Sequence, residues 1–451
     1  MSRNYTASQR SAFVAVTTLF FAWGFITSLI DPLVAAVKGI FTLTNVQAQL
    51  SASAFFIAYG LMSFPAAWVI TRIRPVRAIL LALAMMAVAC LVMLGAANLA
   101  NYTLVLAGLF ILASGITMLQ VAANPLAAAL GSPEGSHFRL TLSQTFNSFG
   151  TFIGPIIGAG LFLEGVEAQT GSTISHAVRA QALAGIDRAY FWVCGLLVVL
   201  LTFFWLSRKS VSAAVPEAAP EAVPGQGILS TIAEATSSRW ALLGGAAIFV
   251  YVGVEVSIGT QMAFYLNSQT VWAHSNAPFG VPLLGWVMGS DGVPGVSLQE
   301  AARAVSLYWG GAMVGRAVGA GLLSRISASK LLVAFASVAT AICCYIVLIG
   351  GLTSGFAALS IGLFNSIMFP VIFTLTLERS DASNEATSAL LCTCITGGAF
   401  VPLLMGLTVD VVGYGLAFAV PAAGYFLLAA FGLLAGHVRP TGAPAPSMMA
   451  H

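Results

Sequence analysis

The chain has 451 residues, of which 59% are apolar and 7% carry a formal charge, and its mean hydropathy is +0.94. Soluble domains carry about 25% charged residues, so the composition excludes an ordinary soluble protein and indicates a chain that crosses a membrane many times. The net charge of +3 is not clustered in the way that binds nucleic acid. There is no phosphate-binding loop, and the cysteines and histidines lack metal-ligand spacing. We therefore expect no enzyme activity, no cofactor and no metal.

The first predicted element is a long apolar run, Ser11–Val37, whose only formal charge is Asp31. Keeping a carboxylate ionised at membrane depth costs several kcal/mol, so such a residue usually faces a protein interior or a water-filled cavity and often carries a proton. Pro32 follows directly and weakens the helix beside it. A titratable group at a helix irregularity favours a transport pathway; the alternative is that Asp31 merely caps the broken helix.

Eleven further apolar runs are predicted to be membrane-spanning helices, because a span needs roughly 20 apolar residues and none of the runs alternates like a barrel strand. The fold class is thus predicted as all-α, a polytopic membrane protein with twelve transmembrane helices. The segment after the sixth helix is rich in Ala, Pro and Glu, which is typical of a flexible linker. It divides the chain into an N-terminal half (1–206), a linker (207–238) and a C-terminal half (239–451) with a short tail. The twelve helices are predicted at about 12–37, 47–70, 77–97, 102–130, 139–163, 188–206, 240–266, 300–322, 330–350, 354–377, 385–409 and 415–436.

The two halves repeat each other. Arg72, which follows the second helix of the first half, recurs as Arg325 after the second helix of the other half. Gly-Leu-Phe recurs in the two fourth helices, and a glycine followed five residues later by a proline recurs in the two fifth helices, at Gly150 and Gly397. This ordered series indicates a duplication. Two pseudo-symmetric, parallel six-helix bundles are the architecture of the major facilitator superfamily.

The basic residues predict the orientation in the membrane. Fourteen of the 18 Lys and Arg residues, Arg316 among them, are predicted on the side that holds both termini and the linker. Because cytoplasmic loops carry an excess of Lys and Arg, we expect both termini and the linker to be cytoplasmic. The four basic residues predicted on the opposite side are Lys38, Arg179, Arg188 and Arg303.

Amide, hydroxyl and acidic side chains occur inside the predicted helices, several of them three or four residues apart and so on one helix face. A buried polar group without a partner is costly, so a cavity lined by such groups is expected to hold a polar guest. Amides and hydroxyls suit a neutral sugar, and a tryptophan offers it an aromatic face. The alternatives are amides that only bridge helices and aromatic rings that only pack or lie at the membrane interface. The candidate residues are Gln120, Asn124, Gln144, Asn147, Tyr251, Glu255, Gln261, Trp309 and Asn365.

At these residues the chain resembles a known family, the fucose–proton symporter family of the major facilitator superfamily, and in particular its glucose/galactose branch. The resemblance extends over nearly the whole chain except the linker and the loops opposite it. The segments that carry it are WGFITSLIDPLV (23–34), FTLTNVQAQL (41–50), LFILASGITMLQVAANPL (109–126), SHFRLTLSQTFNSFGTFIGP (136–155), YVGVEVSIG (251–259), VSLYWGGAMVGR (305–316) and GLFNSIMFP (362–370).

The resemblance implies uptake of a sugar across the bacterial inner membrane, driven by a cation gradient, most often protons, through alternating access. It assigns Asp31 to the family's proton-linked aspartate and Gln144 to a helix 5 glutamine near the sugar. The chain departs from the fucose transporters in two places. Their helix 4 acid is replaced by Gln120, and their helix 7 glutamine by Glu255. Glu255 is therefore expected to be either a second proton site or an acceptor for a sugar hydroxyl.

Several alternatives stay open at this stage. The sugar is glucose, galactose, mannose, N-acetylglucosamine or fucose, because such sugars differ by single groups, and sodium is a possible coupling ion in place of the proton. A proton-driven antiporter of drugs or metabolites is the rival class, although it would be expected to carry fewer amides in the cavity. A sensor without transport activity is a third class. We expect the protein to function as a monomer.

Overall fold

The computed structural model describes residues 7–130, 136–163, 176–214, 228–323, 325–382 and 384–438. Within these ranges every regular element is a helix. Both chain ends and the middle of the predicted linker lie outside the described residues, and so does the side chain of Asn124.

The described residues of the first half of the chain form seven helices. They are α1 (Ala7–Ser28), α2 (Ile30–Phe41), α3 (Asn45–Ile73), α4 (Pro75–Asn98), α5 (Tyr102–Ala129), α6 (Ser136–Phe162) and α7 (His176–Ala214).

Eleven helices follow, with short 3₁₀ turns at Ala277–Gly280 and Cys394–Thr396. They are α8 (Ile228–Ser237), α9 (Arg239–Leu266), α10 (Pro282–Met288), α11 (Leu298–Leu323), α12 (Ala328–Leu348), α13 (Leu352–Asn365), α14 (Met368–Leu377), α15 (Asn384–Thr393), α16 (Gly397–Val412), α17 (Tyr414–Ala417) and α18 (Ala419–His437).

The helices form twelve membrane spans, as predicted. Ten helical segments of the described chain are long and apolar enough to cross a membrane. Two further helices, α6 with 27 residues and α11 with 26, are of similar length and complete the set. Four spans are each built from two consecutive helices: α1 with α2, α13 with α14, α15 with α16, and α17 with α18.

The sixth span and the linker differ from the prediction in their boundaries. α7 runs from His176 to Ala214, well beyond the predicted 188–206, because its two ends are charged and fall outside a purely apolar run. Part of the linker is helical as well, since α8 covers Ile228–Ser237. Of the predicted linker, the residues between α7 and α8 lie outside the described chain.

The first span is interrupted where the sequence predicts an irregularity. α1 ends at Ser28, and α2 begins at Ile30 after a turn at Leu29. Pro32 explains this position, because a proline lacks an N–H and its ring presses on the carbonyl four residues earlier, here that of Ser28. Asp31 consequently lies in the first turn of α2.

The repeat is visible in the packing. α1 packs on α6 in the first half, and α9 packs on α16 in the second. Each contact depends on one of the repeated glycines. A side chain at Gly150 would overlap the backbone carbonyl oxygen of Phe21, and one at Gly397 would overlap that of Phe249. Glycine is the residue that permits such close backbone approach.

The halves meet through α3 against α16 and α6 against α11. We call the end of the bundle where α7 ends and α9 begins the linker end, and the opposite end, where α2 leads into α3, the far end. Several hydrogen bonds join the halves at the far end. Asp410 accepts from the backbone N–H groups of Asn45 and Val46, at 3.3 and 3.2 Å. Lys38 donates across the halves to Tyr414 Oη at 3.0 Å, and within the first half to Asn45 Oδ1 at 2.6 Å.

Candidate functional site

Asp31 lies where the two halves meet. Its side chain is 7% exposed, and its Oδ2 accepts a hydrogen bond of 2.6 Å from the indole N–H of Trp309, which is on α11 of the other half. Gly259 of α9 also lies against the Asp31 carboxylate, because a Cβ at that position would be 3.2 Å from Asp31 Oδ1. The N-cap position of α2 is occupied by Leu29, and Asp31 lies two residues later in the first turn, so Asp31 is not the cap of this helix. The carboxylate is directed at the opposite half.

Glu255 lies in a polar cluster of the second half. Its side chain is half-buried, and Oε1 accepts a hydrogen bond of 2.7 Å from the hydroxyl of Tyr251, one turn earlier in α9. The hydroxyl of Tyr308 donates to the Glu255 backbone carbonyl at 3.1 Å and accepts from Asn365 Nδ2 at 2.6 Å. These hydrogen bonds bring Tyr251, Glu255 and Asn365 together, with Tyr308 as the residue that connects them.

Two amides of the second half contain buried atoms that have no hydrogen-bond partner within the described protein. Gln261 is 1% exposed, and neither its Oε1 nor its Nε2 has a partner. Oδ1 of the fully buried Asn365 has none either. Leaving a buried donor or acceptor unsatisfied costs about 1–3 kcal/mol, so such groups usually meet a bound polar molecule or water. The unpartnered atoms of Gln261 and Asn365 are therefore available to a bound polar molecule or to water.

Two amides of the first half bridge neighbouring helices. Gln120 on α5 is half-buried and donates to the hydroxyl of Tyr59 on α3 at 2.8 Å. Asn147 donates to the backbone carbonyl of Phe20 at 3.0 Å and so bridges α6 to α1. Gln144 is half-buried one turn from Asn147, on the same helix. The helix-bridging alternative therefore describes the amide nitrogens of both Gln120 and Asn147.

Arg316, which is predicted among the basic residues of the linker side, also lies in this region. It lies within α11, seven residues before that helix ends at Leu323. Its Nη1 donates to the hydroxyl of Ser148 on α6 of the other half, and its Nε donates to the carbonyl of Ser366 at 3.2 Å. These two contacts are not predicted from the sequence, which shows only that Arg316 falls within the predicted helix 300–322.

Two six-helix bundles that meet at a buried acid, with further amides and tyrosines around it, define a membrane protein of the secondary transporter class. The family comparison agrees, because residues 12–396 match the Major Facilitator Superfamily. The chain belongs to the Major Facilitator Superfamily and is a multi-pass membrane protein.

Individual proteins that this chain is similar to are named as sugar transporters. The chain is 37% identical over 434 residues to a glucose/galactose transporter of Brucella abortus biovar 1 (strain 9-941), covering 95% of this chain and 96% of the relative. It is 29% identical over 412 residues to the L-fucose-proton symporter of Escherichia coli K12, covering 89% and 87%. Among solved structures, it matches the E. coli fucose:proton symporter with a TM-score of 0.69 at 25% identity, covering 96% of this chain and all of that one. These matches confirm the predicted family and the twelve-helix fold.

Proposed function

We propose that this protein is a secondary active transporter that takes up a neutral monosaccharide, a glucose- or galactose-like hexose, together with a proton. The names of its relatives are those of transporters, not of enzymes, and they divide between glucose/galactose transport and fucose–proton symport. The observation that carries the proposal is the Asp31–Trp309 hydrogen bond, which joins a buried acid of one half to the other half.

The substrate site of this proposal lies beside that acid. The sugar binds Gln120, Asn124, Gln144 and Asn147 from the first half. Tyr251, Gln261 and Asn365 contribute from the second half, and Trp309 offers an aromatic face. The orphaned amide atoms of Gln261 and Asn365 support this assignment, because sugar hydroxyls both donate and accept hydrogen bonds.

The proton step of the proposal follows from the cost of a charge in the membrane. Asp31 takes up a proton from outside and becomes neutral, which lowers the cost of enclosing it. The sugar then binds, the halves rock against each other, and proton and sugar leave on the inner side. Glu255 belongs to the same site, either as a second proton-coupling residue or as an acceptor for a sugar hydroxyl. Sodium is the alternative coupling ion.

The proposal includes an orientation. Both termini and the linker lie in the cytoplasm of a bacterial cell, and the protein resides in its inner membrane. The far end then faces outwards. The hydrogen bonds of Asp410 and Lys38 across the halves are those of a state closed on the outer side.

Transport by purified protein in liposomes tests the proposal. We expect radiolabelled glucose or galactose to accumulate under an imposed inward proton gradient, with alkalinisation outside the liposomes. Asp31→Asn is expected to abolish accumulation and proton movement while sugar exchange under equal concentrations continues, because a neutral side chain mimics the protonated acid. If Asp31→Asn retains proton-driven accumulation, the coupling role is wrong. A sugar panel that includes N-acetylglucosamine and fucose, repeated with a sodium gradient, identifies the substrate and the ion.

A further inference from the structure

A groove at the protein surface lies between the two halves near the far end. It has a volume of about 390 Å³, and its walls come from α6 of the first half and from α10 and α11 of the second. Ligand sites commonly measure about 300–1,000 Å³, so the groove is large enough to hold part of a bound molecule. The residues that matter for its chemistry are Ile156, Ile157 and Leu161 from the first half and Trp286, Val287 and Arg303 from the second.

α10 places a tryptophan at the rim of this groove. The helix has seven residues and lies in the long loop between α9 and α11. Leu284, Val287 and Met288 are buried, whereas Leu283 is 60% exposed and Trp286 is 75% exposed. Exposed apolar side chains at the end of a membrane span meet lipid, and tryptophan is enriched where the hydrocarbon gives way to the headgroups. The groove therefore opens at the depth of the lipid headgroups.

Arg303 supplies a positive charge to the groove. It lies in the second turn of α11, and its Nη1 donates to the backbone carbonyl of Met288 at 2.9 Å, where α10 ends. Its Nη2 faces the other half, because a Cβ added to Gly160 of α6 would be 3.9 Å from it. A guanidinium has five N–H donors, and the bond to Met288 is the only hydrogen bond that Arg303 makes to the described residues. Its other donors are available to a ligand in the groove.

The acids that are close to Arg303 in sequence do not neutralise it. Glu300 lies one turn earlier in α11 but is 3% exposed, and its carboxylate accepts from the backbone N–H groups of Asp291 and Ser297, at 3.1 and 2.8 Å. Asp291 accepts in turn from the N–H of Val293 at 2.8 Å. Among the described residues, no carboxylate lies within 4 Å of the Arg303 guanidinium. Arg303 therefore lacks a counter-charge, and an anion fits beside it.

We propose that this groove binds an anionic phospholipid, with Arg303 on the phosphate and an acyl chain along the apolar wall of α6. Two N–H groups of a guanidinium match two oxygens of a phosphate. Ile156 and Ile157, one turn closer to the middle of α6 than Gly160, form the deeper part of the wall. A lipid fits better than free phosphate, because its chain also covers this apolar surface. The site does not depend on which solute is transported, and only its placement in the outer leaflet rests on the proposed orientation.

A lipid in the groove contacts both halves, since α6 belongs to the first half and α11 to the second. The shape of a groove between the halves changes when the halves rock against each other. A ligand that binds one shape better stabilises the conformation that has it. The lipid therefore stabilises the conformation described here, in which Asp410 and Lys38 bind across the halves at the far end.

Lipid titrations of the purified protein test the site. Native mass spectrometry gives the affinity of the first lipid bound, for phosphatidylglycerol and for phosphatidylcholine with the same acyl chains. We expect the unchanged protein to bind phosphatidylglycerol about tenfold more tightly, and Arg303→Gln to bind both lipids alike, because losing a hydrogen bond to a charged group corresponds to a factor of roughly ten or more. Arg188→Gln is the matched control, since it removes an exposed arginine of α7 whose Nε donates at 3.4 Å to Ala184 of its own helix.

Gly160→Leu separates lipid binding from the contact between α10 and α11. The Nη2 of Arg303 is the only heavy atom within 4 Å of a Cβ at this position, so the leucine extends into the groove and leaves the Arg303–Met288 bond in place. We expect this variant to lose the preference for phosphatidylglycerol and to melt with the unchanged protein when no lipid is added. Gly195→Leu on α7, where an added Cβ meets nothing within 4 Å, is the matched control.

Four results would overturn the proposal. The first is equal affinity of the unchanged protein for the two lipids, and the second is a preference that survives in both Arg303→Gln and Gly160→Leu. The third is an equal loss of preference in the two α7 controls, which would indicate an effect of overall charge or surface. The fourth is inorganic phosphate that displaces phosphatidylglycerol at the same concentration, which would indicate an anion site without a lipid. None of these measurements involves sugar, so the lipid site and the proposed function stand or fall separately.

Discussion

The two acids of the interior differ in where their hydrogen-bond partners lie. Asp31 accepts from Trp309, which belongs to the opposite half. Glu255 accepts from Tyr251, four residues earlier in the same helix. A contact across the halves must change when the halves move relative to each other, whereas a contact within one helix moves with it as a unit. The first acid is therefore suited to sensing the conformational cycle, and the second to holding an acceptor in a fixed position beside the bound substrate.

The same distinction applies to other polar contacts. Asp410 with Asn45 and Arg316 with Ser148 cross between the halves, as does the 2.9 Å bond from Thr260 to Gln49 Oε1. Variants of cross-half contacts are expected to alter coupling or the balance of conformations, and variants of within-half contacts to alter sugar affinity.

Among the variants that test this distinction, Trp309→Phe is expected to have the largest effect on transport. It keeps an aromatic ring and removes the one indole N–H that Asp31 accepts from. Hydrogen bonds to charged groups contribute about 1.5–3 kcal/mol, which corresponds to a loss of roughly tenfold to a hundredfold. We expect proton-driven accumulation to fall by about this factor while sugar exchange falls much less. Accumulation and exchange are measured in the same proteoliposomes.

Trp23→Phe is the control for that experiment. Trp23 is 4% exposed and its ring packs on Phe20, with centroids 4.1 Å apart. The control therefore loses the same atoms from a buried tryptophan of the first span. A Trp309→Phe protein with equal losses in accumulation and exchange, or with losses no greater than the control, would contradict the coupling role of the cross-half hydrogen bond.

Tyr251→Phe tests the contact within one helix and is expected to have a smaller effect. Removing the hydroxyl takes one donor from Glu255, whose side chain is half-buried. We expect the sugar concentration for half-maximal uptake to rise about threefold to tenfold, in line with the loss of one hydrogen bond of about 1 kcal/mol. The ratio of protons to sugar is expected to stay the same. Tyr265→Phe, which removes a hydroxyl bonded to Ser354 further along α9, is the matched control. A changed proton ratio in Tyr251→Phe would place Glu255 in the proton pathway.

Much of the fold was predictable, because apolar length and the repeated glycines are local signals. Twelve helices, two halves and the irregularity beside Asp31 all follow from such signals. The helix ends were less predictable. α7 extends far beyond its apolar core at both ends, since hydrogen bonding within a helix continues through charged residues that a hydropathy pattern excludes.

The partners of the polar residues could not be read from the sequence. A four-residue spacing predicts that Tyr251 and Glu255 lie on one face, and the structure joins them. No spacing predicts that Asp31 and Trp309, in different halves, form a hydrogen bond, because that contact depends on how the bundles dock. The partners of Arg316 could not be read from the sequence for the same reason. A count of basic residues on each side of the membrane predicts which side Arg316 lies towards, and not its hydrogen bonds to Ser148 and Ser366.

The smallest expected effect belongs to Asp410→Asn at the far end. Asp410 is exposed and accepts from the first backbone N–H groups of α3, where a negative charge also favours the helix N-terminus. An exposed charge at such a position contributes about 0.3–1 kcal/mol, enough to shift a conformational balance about twofold to fivefold. We expect the variant to open more often at the far end. Labelling by an impermeant maleimide measures this, at a cysteine introduced in place of the buried Ala48, one turn into α3, with the native cysteines replaced.

Asp187→Asn is the matched control, because Asp187 accepts from Asn98 at 3.1 Å within the first half alone. If the contact across the halves is what holds the far end closed, Asp410→Asn raises the labelling rate and Asp187→Asn does not. Bound sugar should lower the rate in both proteins if it favours the same closed state. Equal rates in the two variants would mean that the far end is held by packing of α3 on α16 and not by this hydrogen bond. In that case a contact that crosses between the halves would not for that reason take part in the transport cycle, and the coupling role of Asp31 would depend on the result of the Trp309→Phe variant alone.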